Sequence, residues 1–320
     1  MRRYSASANT MQALVKYHGL RDWKLRIPYH DSISVNTTSL STQATLTDEP
    51  TQDRGVFIGG RKSDGADSRL GPVLDRLLGP RADKVSYRID SANLPKIRAK
   101  GLGYSSSAGA ALTLLCHRAY VGGKPKLEEL SRAARLFAAS ASRSLVGGFS
   151  RLYAGKDDEG TYAKRFADQQ TMDLRMVIVP LPSKVHTEDA HREVETSPFF
   201  QARIRSAQER CDEMEEAVLK NELEKLGVLA ERDTLELHAI TMTGSRGMLV
   251  MSEDSIRVIS KVRELRSDGM DAFFSLQTGP SVFINTSERH QKKVMEAVKR
   301  LGYRAYYSSV GREARLEDET

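Results

Sequence analysis

Cysteine, tryptophan and long apolar runs are scarce in this chain of 320 residues, which holds two Cys and one Trp. Cys116 and Cys211 are too few for a disulfide framework, which excludes the small stapled secreted folds and points to a reducing compartment. Cys116 falls on an apolar helix face and reads as a buried thiol. No apolar run approaches the roughly 20 residues that a membrane span needs, and the mean hydropathy is −0.46. Behind Met1-Arg-Arg-Tyr-Ser-Ala6 there is no apolar segment of the secretory-signal kind. These absences predict a cytoplasmic protein with no membrane contact. No spacing of His, Cys, Asp and Glu matches a protein metal cage, so no metal ligands are expected. Internal repeats, low-complexity tracts and nucleic-acid-binding motifs are absent, and the basic residues are dispersed, so nucleic acid is not the expected partner.

What the chain does have is positive charge. Against 42 Asp and Glu stand 49 Lys and Arg, a net charge of +7. An anionic partner follows, and a small phosphorylated metabolite suits dispersed cations better than a polymer does. The stretch Gly101-Leu-Gly-Tyr-Ser-Ser-Ser-Ala-Gly109 runs straight into Ala110-Ala-Leu-Thr-Leu-Leu115. A loop of that composition opening an apolar helix leaves backbone N–H groups at a positive helix end, a phosphate or carboxylate receptor in outline. The same pattern also suits a serine-capped turn before a buried helix. Its company favours the anion site: Lys16 upstream, Arg143 beyond the next helix, and the turn Thr278-Gly-Pro-Ser281 near the end. Lys16 sits in the apolar run Ala13-Leu-Val-Lys-Tyr17, where a lysine is costly unless it meets an anion. Snorkelling from a half-exposed strand is the alternative. The small residues Ala138-Ala-Ser-Ala-Ser-Arg-Ser144 permit close backbone approach, with Arg143 as the anion fork.

Alternation predicts strands over Ser32–Thr38, Thr42–Thr47, Gly55–Gly60 and Val85–Ile89. Helices are expected over Asp67–Leu78, from Ser105 to Tyr120, from Leu127, over residues 199–226, over Glu224–Met242 with a bend near Gly227, over Ser252–Ser267 and over Glu288–Leu301. Phe149–Tyr153, Leu174–Leu181, Ala272–Leu276, Ser281–Asn285 and a final Tyr303–Tyr307 read as strands. The polar turn Gly155–Gly160 opens a boundary that ends near residue 173. His18 and His30 lie in the region of the lysine and are candidates to help bind phosphate. His117, His191 and His238 read as packed or capping residues.

Several blocks resemble a known family. Ala6-Ser-Ala-Asn-Thr-Met-Gln-Ala-Leu-Val-Lys-Tyr-His-Gly-Leu-Arg-Asp22 and Leu25-Arg-Ile-Pro-Tyr-His-Asp-Ser-Ile-Ser-Val35 are similar to the opening of the mevalonate-pathway decarboxylases. These belong to the galactokinase, homoserine kinase, mevalonate kinase and phosphomevalonate kinase (GHMP) superfamily. The likeness continues through the serine-rich loop, Ser140–Phe149, His191–Phe200, Glu231–Gly244 and Val262–Arg266, so it covers nearly the whole chain. The Lys-Tyr-His-Gly and Pro-Tyr-His-Asp wording looks most like the archaeal branch acting on mevalonate monophosphates.

The resemblance implies an α+β, GHMP-kinase-like, two-lobed fold with the active site in the cleft between lobes 1–172 and 173–320, and a possible homodimer. It places Lys16 at the substrate 3-oxygen and carboxylate, and Arg143 in the catalytic cluster. Ser140 and Ser144 hold substrate, Tyr17 and Arg69 bind its 5-phosphate end, and Thr278 lies in the late turn. Gly103, Ser105, Ser106 and Ser107 form the phosphate loop. Relatives phosphorylate the tertiary 3-hydroxyl with ATP, then lose that phosphate and CO2 together.

The departures from the family are specific. Its catalytic Asp, in an Asp-x-Gly turn, is here Gln277, whose neutral amide cannot serve as a carboxylate base. Tyr104 stands where the phosphate loop has a small residue, and Leu20 where a lysine often follows Tyr-x-Gly. Phosphoryl transfer needs in-line placement, metal-bound oxygens and help with the alcohol proton. Elimination needs cations on the departing phosphate and no base. The expectation is therefore an ATP-independent decarboxylase converting mevalonate 3,5-bisphosphate to isopentenyl phosphate, CO2 and phosphate, with no cofactor. An ATP- and Mg2+-dependent phosphomevalonate or diphosphomevalonate decarboxylase stands as the alternative, with Asp22 or Asp31 supplying the carboxylate. A mevalonate 3-kinase and a non-catalytic binding homologue remain open beside it.

Overall fold

A computed structural model describes residues 2–48, 53–183 and 185–317. In chain order, β1 (Arg3–Val15) leads to a short hairpin of β2 (Leu20–Asp22) and β3 (Ile27–Pro28), then to the long β4 (Ser32–Asp48). Next come β5 (Gly55–Ile58), β6 (Arg61–Lys62), α1 (Asp64–Leu78), a 3-10 turn over Gly79–Lys84 and β7 (Tyr87–Leu94). Three helices follow, α2 (Tyr104–Tyr120), α3 (Leu127–Phe137) and α4 (Ala141–Val146), and then β8 (Phe149–Leu152), β9 (Ala163–Ala167) and β10 (Arg175–Val179). The remainder is α5 (Thr187–Val194), α6 (Phe200–Leu219), α7 (Leu223–Met242), α8 (Glu253–Ser267), β11 (Phe273–Leu276), β12 (Val282–Thr286), α9 (Glu288–Arg300), β13 (Tyr306–Ser309) and β14 (Arg315–Glu317).

Two sheets carry this order. The first runs β14-β1-β4-β7-β5-β6, with β8 and β9 continuing from β4, and the second runs β11-β12-β10-β13. Alternation explains the faces of the first sheet: Ala6 and Ala8 of β1 and Ala44 and Leu46 of β4 point inward, with polar residues between them. They meet the buried residues of α1, α2 and α3 in one core that includes Leu70, Leu115 and Phe137. A second core joins Leu14, Ile33 and Leu40 to Met214 and Leu226 of α6 and α7. A third packs β10, β11 and β12 on α8 and α9 through Phe274, Ile284, Val262 and Val298. A capping box of Ser252 and Ser255 starts α8.

Four expectations need correction. The two strands expected over residues 32–47 are one, β4, although its register with β1 jumps between the pairs Met11/Asn36 and Asn9/Ser41. The turn after Leu219 ends α6, so 199–226 is not one helix, and α7 passes through Gly227 as a single element. The strand expected over Tyr303–Tyr307 begins only at Tyr306 and is not the last, since β14 beyond it rejoins the first sheet by pairing with β1. Sheet membership therefore does not follow a cut of the chain at residue 172. Neither β9 nor α5 is predicted from the local pattern of the sequence. Among the described residues no helix is long and apolar enough to cross a membrane.

Candidate active site

A cleft of about 540 Å3 lies where the phosphate loop, the end of β1, α4, α5 and the turn after β11 converge. Lys16, Tyr17, Arg69, Gly103, Ser105, Ser106, Ser140, Arg143, Gln277 and Thr278 all line it. Ser107 and Ser144 do not: Ser107 bonds Thr42 Oγ1 at 2.7 Å behind the loop, and Ser144 is fully buried on α4. Asp22 and Asp31 also lie off the cleft; Asp31 is taken by Arg151 at 2.7 Å and by the Ala154 N–H.

Local structure delivers each group. α2 is preceded by Gly103 as its N-cap, whose backbone is left-handed at φ 82°, with the Met11 carbonyl 2.8 Å from where a Cβ would stand. No acidic residue occupies the first turn of α2. Its positive end is therefore not offset by a carboxylate of its own first turn, an arrangement that suits an anion. Across the cleft, Gly279 of the late turn presses on the loop backbone, its absent Cβ falling 2.7 Å from Gly101 N. Ser281 Oγ donates to the Lys100 carbonyl at 2.5 Å and fastens the two segments together.

Lys16 is the residue that follows β1, and it is 2% exposed. Snorkelling is thus excluded. Its Nζ donates to Asp233 Oδ2 at 3.2 Å and to Thr234 Oγ1 at 3.1 Å, both on α7. The same carboxylate accepts from Arg203 at 2.6 Å and Arg210 at 3.2 Å. Burial pulls the Lys16 ammonium down to about 8, with Asp233 opposing that fall. Asp233 would be raised by burial, but Arg203, Lys16 and Arg210 outweigh it and hold the carboxyl at about 2. Asp233 is not marked by any local sequence signal, because a lone Asp on a helix facing other helices does not announce its partners.

Arg143 differs. It is 1% exposed, its Nε and Nη1 have no hydrogen-bond partner, and its guanidinium stands 5.4 Å from the Tyr17 ring. Burial pulls it down to about 10, which still leaves it charged at neutral pH. A buried guanidinium with unpartnered nitrogens, on a residue in the wall of a cleft, suits an anion. Ser106 Oγ donates to Ser140 Oγ at 2.6 Å beside it.

Gln277 is fully committed to backbone. Its Nε2 donates to the carbonyls of Met11 and Gly101, each at 3.1 Å, and its Oε1 accepts from Ala13 N–H at 3.3 Å. A carboxylate could not make the two donations. His18 stacks on His191 with ring centroids 4.3 Å apart. Its Nδ1 donates to the Tyr17 carbonyl at 2.8 Å, so its Nε2 accepts from the Thr278 hydroxyl at 3.0 Å. Burial holds both imidazoles neutral, His191 at about 4. His191, read as a packed or capping residue, lines the cleft, whereas His30 does not. Tyr104, half-buried, donates to the Pro95 carbonyl at 2.6 Å and packs against the second core.

Two helix-flanked sheets, with the glycine-serine loop ahead of α2 and the turn after β11 meeting at a cleft lined by the buried Lys16 and Arg143, match the GHMP-kinase-like α+β class. The crystal structure of mevalonate diphosphate decarboxylase from Staphylococcus aureus shares this fold at a TM-score of 0.90 and 27% identity, over 99% of this chain and 98% of that one. A family model described as diphosphomevalonate decarboxylase-like N-terminal domain matches residues 8–163, and one described as mevalonate 5-diphosphate decarboxylase C-terminal domain matches residues 183–312. The phosphomevalonate decarboxylase of Haloferax volcanii is 37% identical, with 99% of this chain and 98% of the relative covered. The mevalonate 3,5-bisphosphate decarboxylase of Thermoplasma acidophilum is 25% identical, with 87% and 69% covered. The chain belongs to the mevalonate-pathway decarboxylase family.

Proposed function

We propose that this decarboxylase takes a mevalonate already phosphorylated at C3 and C5, and releases CO2 and the 3-phosphate to form isopentenyl phosphate without nucleotide. The observation that carries the reading is the bonding of Gln277. Its amide donates to two backbone carbonyls at the position where the family has an Asp, so the position holds no base for a 3-hydroxyl. Asp233, tied to three cations and held at about 2, is a poor proton acceptor. Elimination needs none. The C1–C2 pair moves to C2–C3 as CO2 departs, and the C3–O bond breaks with its electrons on the leaving phosphate. Arg143 and Lys16 stabilise that growing charge from a site with little water. Ser140 and Ser106 hold the substrate beside them, and Tyr17 and Arg69 take its 5-phosphate.

A second reading, ATP-dependent decarboxylation of phosphomevalonate, has its own support. A smaller pocket of about 290 Å3, walled by Val56, Ile58, Ala108 and Phe137, adjoins the cleft and shares Arg69, Asn93, Tyr104 and Ser105 with it. An apolar pocket beside a phosphate loop suits a nucleotide base, and the Haloferax relative's name agrees. In that case the loop residues Gly103, Ser105 and Ser106 would hold the nucleotide phosphates.

The two are separated by one pair of assays. Mevalonate 3,5-bisphosphate supplied alone is expected to yield CO2 and phosphate in equal amounts, while mevalonate 5-phosphate with ATP and Mg2+ yields no CO2. Tyr104→Gly is expected not to speed the first reaction. CO2 from mevalonate 5-phosphate only when ATP is added, with the bisphosphate inert, replaces the proposal with the second reading.

A further inference from the structure

The outer end of the cleft holds a charge arrangement that elimination does not require. Arg26 from the β2–β3 hairpin and Arg69 from α1 converge through their Nη2 atoms on one oxygen, Glu188 Oε1, at 3.5 and 3.4 Å. Glu188 belongs to the first turn of α5, and all three residues line the cleft. Arg26 is aimed there at a cost. Its backbone is left-handed at φ 52°, a strained region for a residue with a side chain, and its Nε is tied to the Leu136 carbonyl at 3.0 Å. Glu188 is the one anionic partner of Arg69 among the described residues. Pairs this long, between side chains that are 21% to 50% exposed, add little to stability. The carboxylate therefore matters more for the charge it brings to the cleft than for holding the fold.

We infer that Glu188 is a specificity-determining residue that admits a phosphomonoester at the 5-end of the substrate and turns away a diphosphate. This rests on the proposed assignment of Arg69 and Tyr17 to that end. Within this trio, two guanidinium groups less one carboxylate leave a net single positive charge at the outer end of the cleft. A monophosphate dianion can share the arginines with, or displace, so weakly held a carboxylate. A diphosphate adds roughly one more negative charge and a second tetrahedron in the space beside Glu188, where like charges repel across a partly desolvated cleft. The arginines supply attraction to any phosphate. Glu188 supplies the repulsion that ranks them.

Calorimetric titration of the whole enzyme with mevalonate 5-phosphate and with mevalonate 5-diphosphate, nucleotide absent, tests this. Wild type is expected to favour the monophosphate by roughly tenfold, the scale of one partly screened charge. Glu188→Gln is expected to tighten binding of both ligands, the diphosphate more than the monophosphate, and so narrow that ratio, with the melting temperature nearly unchanged. An unchanged ratio in Glu188→Gln overturns the inference. So does equal weakening of both ligands with a lowered melting temperature, which would mark Glu188 as a residue that only complements the α5 dipole. If Arg69→Ala leaves both affinities untouched, the assignment of this end fails and the inference falls with it. Nucleotide-free CO2 release is read in a separate assay.

Discussion

Lys16 and Arg143 stand in the same cleft almost without solvent, yet they are kept charged by different means. Asp233 steadies Lys16, whose pKa burial has lowered from 10.5 to about 8. On the role proposed for the ammonium at the leaving phosphate, kcat/KM is expected to fall as pH rises through about 8, and Lys16→Arg to move that limb upward. The effect on stability has the opposite sign. Between about 8 and 10.5 the unfolded chain keeps the proton that the folded chain has lost, so this group's contribution to stability rises with pH. A pH–rate profile beside a pH series of denaturant midpoints checks both limbs. Arg143 has no carboxylate, and its Nε and Nη1 are unpartnered. Arg143→Ala is expected to lower turnover by about 10²–10³-fold, the cost of one lost transition-state donor, without lowering the melting temperature. Asp233→Asn is expected to lower stability as well as activity: leaving buried cations uncompensated costs about 3–5 kcal/mol, read by chemical denaturation.

At the scale of elements, the contact that makes the site is the one between the phosphate loop and the turn after β11. Gly279→Ala would place a Cβ 2.7 Å from the backbone of Lys100 and of Gly101. Gln277→Glu would strip the donors from the Met11 and Gly101 carbonyls at a cost of about 1–3 kcal/mol each. Both variants are expected to lower the melting temperature, and Gly279→Ala to lower kcat as well by shifting the loop; native rates and stability in both would show that the contact is dispensable. The helical start of α2 was legible to within one residue because its glycine-serine loop gives way abruptly to an apolar run. β4 read as two strands because Thr37–Leu40 interrupts its alternation, and the register with β1 does jump there. α5 escaped the reading: Thr187–Val194 is short and polar, and only its packing shows which side faces the cleft.

For the molecule as a whole, the return of the chain end matters more than the expected boundary at residue 172. Gly311 accepts from Gly148 N–H at 2.9 Å and donates to the Asn36 carbonyl at 2.8 Å, Ala314 N–H bonds the Leu145 carbonyl at 3.0 Å, and β14 pairs with β1. The end of the second half is thus laced into the sheet of the first. We propose two lobes that unfold together: calorimetry is expected to show a single transition, and removal of residues 311–320 to lower its midpoint. Two resolved transitions would mean that the lobes are independent. The sequence by itself determined the chemistry that is present. A lysine and an arginine stand beside a serine-rich anion loop, an amide replaces the family carboxylate, and a positive surplus suits a phosphorylated substrate, because residue type and local pattern travel with the chain. The tertiary structure decided what those groups meet. Asp233 comes from 217 positions away to hold Lys16. Gln277 finds carbonyls 266 and 176 positions distant, and Glu188 closes on Arg26 and Arg69 from 162 and 119 positions away. Periodicity records only which face of an element is buried, whereas partners this remote are chosen by how the helices and sheets pack.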